Sequence, residues 1–201
     1  GIKHYNYSKE YIIWSVEKSL KDLHTPYLDL LLLHRPSPLM HPNEIAAAVS
    51  VLKESGKILD FGVSNFSPSQ LSLLDNKTAV SVNQIEFSLT QHLAMHNGVL
   101  DQLLQKEILP MSWSPLGSFF KEATKTNTRI KKVLDTFTKK YNATEDQLLL
   151  AWILKHPSGV IPVVGTTSKV RLQNAVKALD IELDLEDWFT LLVECQGHKV
   201  P

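Results

Sequence analysis

Apolar residues in this chain come in short, nearly unbroken runs that end abruptly in polar or aromatic groups. Leu28-Asp29-Leu30-Leu31-Leu32-Leu33 leads into His34-Arg35-Pro36. A run of that kind predicts a strand covered on both faces, as in a parallel sheet. Pro36 has no N–H and ends the ladder, which places His34 at the C-terminal end of the strand. Four more runs repeat the design: Ile58–Val63 into Ser64-Asn65, Val80–Asn83 into Gln84 and Glu86, Ile108–Ser112 into Trp113-Ser114-Pro115, and Val160–Val164 into Gly165-Thr166-Thr167. In parallel α/β folds sites are built at the C-terminal strand ends, so these polar groups are expected to converge on one face.

Between the runs the apolar period changes to that of a helix. Ser8 is a candidate cap for a helix reaching about Leu23, with Ile12, Val16, Leu20 and Leu23 at helical spacing. A second helix is signalled from Asn43-Glu44 and stopped by Gly56. Ser67, Pro68 and Gln70 spell a capped helix start. Further helices are predicted near 98–107, 129–141 and 148–154, and after Ser168 and Asp184. The longest irregular stretch, Leu116 to about Asn127, is expected to be a lid or a binding loop. No repeat, low-complexity tract or linker interrupts the series, which reads as five βα units in a single domain over residues 1–201.

Bulk composition narrows the partners. Of 201 residues, 43% are apolar, and 21 basic residues balance 21 acidic ones. That neutrality argues against a general nucleic-acid or membrane-surface binder, which needs a basic excess. The single Cys195 excludes an intramolecular disulfide and points to a reduced compartment, and the first residues hold no signal-peptide core, so a cytoplasmic location is expected. No apolar run reaches the roughly 18 residues of a membrane span. The chain begins with Gly rather than Met.

Motif by motif, the chain resembles an aldo-keto reductase. The resemblance rests on Leu30–Pro36, on Gly62-Val63-Ser64-Asn65-Phe66, on Val82-Asn83-Gln84-Ile85-Glu86, on Trp113-Ser114-Pro115-Leu116-Gly117, and on Gly165-Thr166-Thr167-Ser168-Lys169 with Arg171. The likeness is to the bacterial oxidoreductase type, down to the terminal Val200-Pro201, and runs the whole chain in order. It implies a (β/α)8 TIM barrel of which the five strands here are the fourth to the eighth, the C-terminal two-thirds. It also implies an NADP(H)-dependent reduction of aldehyde or ketone carbonyls, and a truncated chain without the family's catalytic Asp, Tyr and Lys. Such a chain is expected to be inactive alone, with open strand edges and exposed core. Tyr5, Tyr7, Tyr11 and Lys3, at the lead-in to the first helix, match no family motif and receive no role.

The resemblance assigns roles to residues that also have plainer readings. His34 would orient the substrate carbonyl and stabilise its developing charge; the plain reading is a structural strand-end histidine. Ser64, Asn65 and Gln84 would pair with the nicotinamide carboxamide, or Ser64-Asn65 is only a turn. Trp113 would stack on the nicotinamide, or it is core. Ser114, Pro115, Leu116 and Gly117 would lie along the pyrophosphate. Gly165, Thr166 and Thr167 would deliver a helix N-terminus to phosphate. Arg171 would hold a 2′-phosphate, favouring NADP(H) over NAD(H). Asn174 and Ala175 replace the Glu and Asn that often hold the adenine. His92 and His96 have no third ligand at useful spacing, so no metal is expected. The expected partner is a small carbonyl compound. A non-catalytic NADP-binding or regulatory module is the rival reading. A third reading, a different phosphate-binding barrel such as an aldolase, is disfavoured because no lysine of this chain lies at a strand end to form a Schiff base.

Overall fold

The computed structural model describes every residue except Lys3 and Pro201, so the readings of those two residues lie outside it. The chain forms two compact units, residues 1–85 with 101–109, and residues 86–100 with 110–201.

The first unit holds α1 (Lys9–Leu23), β1 (Leu28–Leu33), α2 (Pro42–Glu54), β2 (Ile58–Ser64), α3 (Pro68–Asp75) and β3 (Val82–Glu86). β1 pairs with β2 and β2 with β3, all parallel. The register aligns Leu33 with Val63 and Val63 with Asn83, so three strands end at one level. Gly62 is required in the middle of β2, because a Cβ there would stand 2.7 Å from both Leu32 Cδ2 and the Val82 carbonyl oxygen. Helical periodicity delivers the covering faces: Ile12, Val16 and Leu20 of α1 and Ile45, Ala48, Val49 and Leu52 of α2 are buried, as are Phe61 and Val63 of β2. Apart from Ala48, each of these side chains is worth about 1.5–3 kcal/mol against exposure.

Caps follow local chemistry. Ser8 Oγ accepts from the Tyr11 amide, and Ser67 with Gln70 forms a reciprocal capping box. α2 starts one residue before the Asn43-Glu44 signal, with His41 as the cap. Pro42 suits the first helical position, where no N–H is needed, and His41 Nδ1 accepts from Asn43 N at 3.3 Å.

α4 (Val99–Gln105) and β4 (Leu109–Trp113) lead on to α5 (Lys125–Lys140), α6 (Glu145–Leu154), β5 (Ile161–Pro162), α7 (Lys169–Val176) and α8 (Leu185–Gln196). β4 and β5 pair in parallel. The second unit is centred on α6, whose Leu148 to Ile153 are all buried. Trp152 of α6 and Trp188 of α8 stack with centroids 4.8 Å apart and planes 3° apart. Each indole N–H donates to the other residue's carbonyl, at 3.2 and 2.9 Å. Cys195 is buried beside this core; burial pushes its thiol up to about 11, and the thiol donates to the Leu89 carbonyl.

Two elements depart from the sequence expectation. The Val160–Val164 run contributes only a two-residue strand, and the rest is irregular. The apolar spacing in α7 produces no buried face, since none of its residues is buried and Val170 is 74% exposed. Periodicity shows that a stripe exists, and only packing decides whether anything covers it. No helix among the described residues is long and apolar enough to cross a membrane.

Two measurements follow from the second unit. Trp188→Phe keeps a ring but removes the N–H that satisfies the Trp152 carbonyl, and it is expected to lower unfolding free energy by about 1–3 kcal/mol in urea titration. Lys140 donates to Asp184 and Asp187 at 2.6 Å each, and this hydrogen bond holds the Asp184 carboxyl below the usual carboxylate range. That contribution is full above the ordinary carboxylate pKa and is lost as pH falls through the lowered one. The stability difference between the protein and Lys140→Met is therefore expected to shrink between about pH 7 and pH 3.

Candidate active site

In the first unit the polar strand ends meet at one level. β1 pairs with β2 through Leu33, so His34 is the first residue past the ladder, beside Ser64 of β2, which pairs with Gln84 of β3. His34 is exposed, Gln84 and Asn65 are half-buried, and Ser64 is buried. Ser64 Oγ donates to the Gln84 carbonyl at 2.8 Å and accepts from Asn65 Nδ2 at 2.8 Å. The Asn65 amide donates to the same Gln84 carbonyl at 2.9 Å. Asn65 sits at φ +58°, a left-handed conformation that Asn tolerates better than most residues. The turn after β2 is pinned from below by Asn83, fully buried, whose Nδ2 donates to the Phe66 carbonyl at 3.0 Å. The sequence reading gave Asn83 no role of its own; an Asn inside an apolar strand was the available signal.

The second unit holds a cavity of about 690 Å³. Ser114, Pro115, Leu116 and Gly117 line it from the end of β4, and Gly165, Thr166 and Arg171 from the entry to α7. Trp113, Thr167 and Asn174 do not line it. Sequence reasoning missed three liners with distinct chemistry, Lys121, Asp146 and Phe120. Lys121 and Phe120 fall in the irregular stretch, which gives no periodic signal. Asp146 looked like an ordinary acidic residue in a helix's first turn.

The stretch after Leu116 is a series of hydrogen-bonded turns. The Gly117 amide donates to the Ser114 carbonyl at 2.8 Å, and the Lys121 amide to the Ser118 carbonyl at 2.9 Å. Asn127 is buried, and its Nδ2 donates to the carbonyls of Ser118 and Glu122. The Ser118 amide donates to Thr90 Oγ1 at 3.0 Å. Gly117 takes φ +55°, and a Cβ on it would lie 2.0 Å from Thr90 Oγ1 and 2.6 Å from Ser88 Oγ. The loop is thus held against the 88–90 turn by a residue that has to be glycine.

At the α7 entry, Ser168 Oγ accepts from the Arg171 amide and Arg171 is exposed. Asn174 turns the other way. Its amide nitrogen donates to Thr144 Oγ1 at 3.1 Å and to the Asp146 carboxylate at 3.2 Å, and its amide oxygen accepts from Gln147 at 2.8 Å. Both ends of this side chain are therefore engaged within the protein. His92 and His96 lie ring to ring with centroids 5.6 Å apart. Among the described residues no three His, Cys, Asp or Glu side chains are grouped to hold a metal.

A model of the aldo/keto reductase family matches residues 1–192. The chain belongs to this family. It is 40% identical to the uncharacterized oxidoreductase YcsN of Bacillus subtilis, over 98% of this chain and 68% of that one. It is 38% identical to the 6-dehydroglucose reductase of Agrobacterium fabrum, over 99% and 67%. The methylglyoxal reductase DkgB of Salmonella typhimurium is 32% identical, over 90% and 66%. A crystal structure of the thermostable aldo-keto reductase Tm1743 with the inhibitor epalrestat superposes with a TM-score of 0.85 at 27% identity, over 94% of this chain and 67% of that one. The architecture is thus the α/β, TIM-barrel type of the aldo-keto reductases, and the chain spans about two thirds of the length of these relatives.

Gly117→Ala is the sharpest test of the loop geometry. Left-handed strain and collision with Thr90 are expected to cost about 2–4 kcal/mol, read by denaturant unfolding. Adding Thr90→Gly is expected to recover part of that cost and leave the strain.

Proposed function

We propose that the protein is an NADP(H)-dependent oxidoreductase that reduces the carbonyl group of small aldehydes or ketones. The observation that carries this reading is the cavity of the second unit. It combines two cations, Lys121 and Arg171, with a glycine-containing loop and the entry to a helix. Those are the elements that bind phosphate esters. Gly117 brings its backbone within reach of a ligand there, and Arg171 has the fork geometry for a 2′-phosphate. The residues therefore fit the nucleotide. Asn174, engaged by α6, supplies no free amide to an adenine and has no part in the cofactor set proposed here.

In the first unit, Ser64, Asn65 and Gln84 form a compact amide and hydroxyl group at the ends of β2 and β3. We assign them the nicotinamide carboxamide. Ser64 Oγ holds the Asn65 side-chain amide before a ligand arrives. His34 would donate an imidazole N–H to the substrate carbonyl oxygen and stabilise the negative charge that develops there. Bound NADPH supplies the hydride. The names of the relatives point to sugar-derived carbonyls and to methylglyoxal as the substrate classes to try.

The rival reading is an NADP-binding module without turnover of its own. One experiment separates the two. NADPH and NADH are titrated against the protein and its Arg171→Leu variant, and aldehyde-dependent loss of NADPH absorbance is followed for both. Arg171→Leu is expected to weaken NADPH about 10–100-fold with little change for NADH. Tight NADPH binding without turnover selects the second reading; no NADPH binding defeats both.

A further inference from the structure

The two tyrosines at the lead-in to α1 stand at His34. Tyr5 and Tyr7 are two residues apart in extended chain, which places both rings on one side, and their centroids are 6.2 Å apart at 26°. Asn6 between them faces away and caps the next turn, its Oδ1 accepting from the Ser8 amide at 3.0 Å. The segment is anchored further by the Lys9 amide, which donates to Glu44 of α2 at 3.0 Å.

Tyr7 closes on the backbone just beyond His34. Its hydroxyl donates to the Arg35 carbonyl and accepts from the Arg35 amide. One phenol thus meets both polar groups of the residue that follows His34. Burial pushes the Tyr7 phenol up from its ordinary value, so it stays a donor at neutral pH. The ladder of β1 with β2 stops at Leu33, so strand pairing does not fix His34. Tyr5, half-buried, lies edge-on to the imidazole with centroids 6.5 Å apart and planes at 79°.

We propose that Tyr7 is a positioning residue for His34, and that Tyr5 forms an aromatic wall beside it that favours carbonyl compounds carrying a flat or CH-rich ring over short-chain aldehydes. This rests on the assignment of His34 to the substrate carbonyl. An imidazole donor is useful only if its N–H is aimed, and a clamp on the adjoining peptide is the economical way to aim it. An aromatic face gains dispersion and CH–π contact from a ring and little from a three-carbon chain.

The test uses the protein made from its own gene, with an aromatic aldehyde and methylglyoxal as probes. Tyr7→Phe is expected to raise the hydrogen-exchange rate of the Arg35 amide about tenfold and to lower kcat about tenfold for both aldehydes at nearly unchanged KM. Tyr5→Ala is expected to shift the His34 ring proton resonances and to raise KM for the aromatic aldehyde about tenfold, with methylglyoxal affected far less. Tyr5→Phe is expected to restore the KM. Unchanged Arg35 exchange in Tyr7→Phe overturns the positioning role. A Tyr5→Ala effect equal for both aldehydes overturns the wall. If the protein turns over neither aldehyde, the reductase reading fails and the wall fails with it. The Arg35 exchange readout then decides the brace alone.

Discussion

A parallel ladder has to stop, and where it stops polar backbone groups lose their partners. That constraint organises the first unit. Leu33, Val63 and Asn83 share one level of the sheet, and the chain leaves the ladder immediately beyond them. The peptide groups set free there are met by short-range devices: Ser64 and the Asn65 amide on the Gln84 carbonyl, Asn83 on Phe66, and Tyr7 on Arg35. Ser64 also holds the Asn65 side-chain amide, and Tyr7 meets the peptide beside His34. Backbone satisfaction and site construction are one event here, because an unpaired buried N–H or C=O is too costly to leave.

The second unit meets a related problem with a loop. Residues 114–124 carry no helix or strand, so their carbonyls need partners from elsewhere. Asn127 supplies two donors, and Thr90 accepts the Ser118 amide. A glycine lets the loop press against the 88–90 turn. The result is a fixed backbone lining a cavity that carries Lys121, Asp146 and Arg171. The stacked, mutually hydrogen-bonded indoles of Trp152 and Trp188 hold α6, which supplies Asp146 and Leu150 to that cavity, against α8.

The carboxylate among the cations changes the electrostatics of the cavity. Asp146 accepts from Thr144 and Asn174. Lys121 and Arg171 therefore face an anion with one opposing charge already present.

Strand positions, helix caps and the polar strand ends were legible in the sequence because each depends on nearest neighbours. A buried strand needs continuous apolar residues, and a cap needs Ser or Thr ahead of a helical period. The Ser67–Gln70 capping box and the Ser8 and Ser168 caps appear where local chemistry puts them. The family, too, is written in short motifs whose order survives without coordinates. Tertiary structure alone decided what those motifs touch. Asn174 turns to α6 because Gln147 and Asp146 reach it there. Tyr5 and Tyr7, which match no motif, arrive at His34 from far along the chain. The α7 stripe stays bare because periodicity carries no record of a neighbour. A sequence states what each residue prefers within a turn or a pleat; which distant groups satisfy those preferences is settled only when the backbone closes around them.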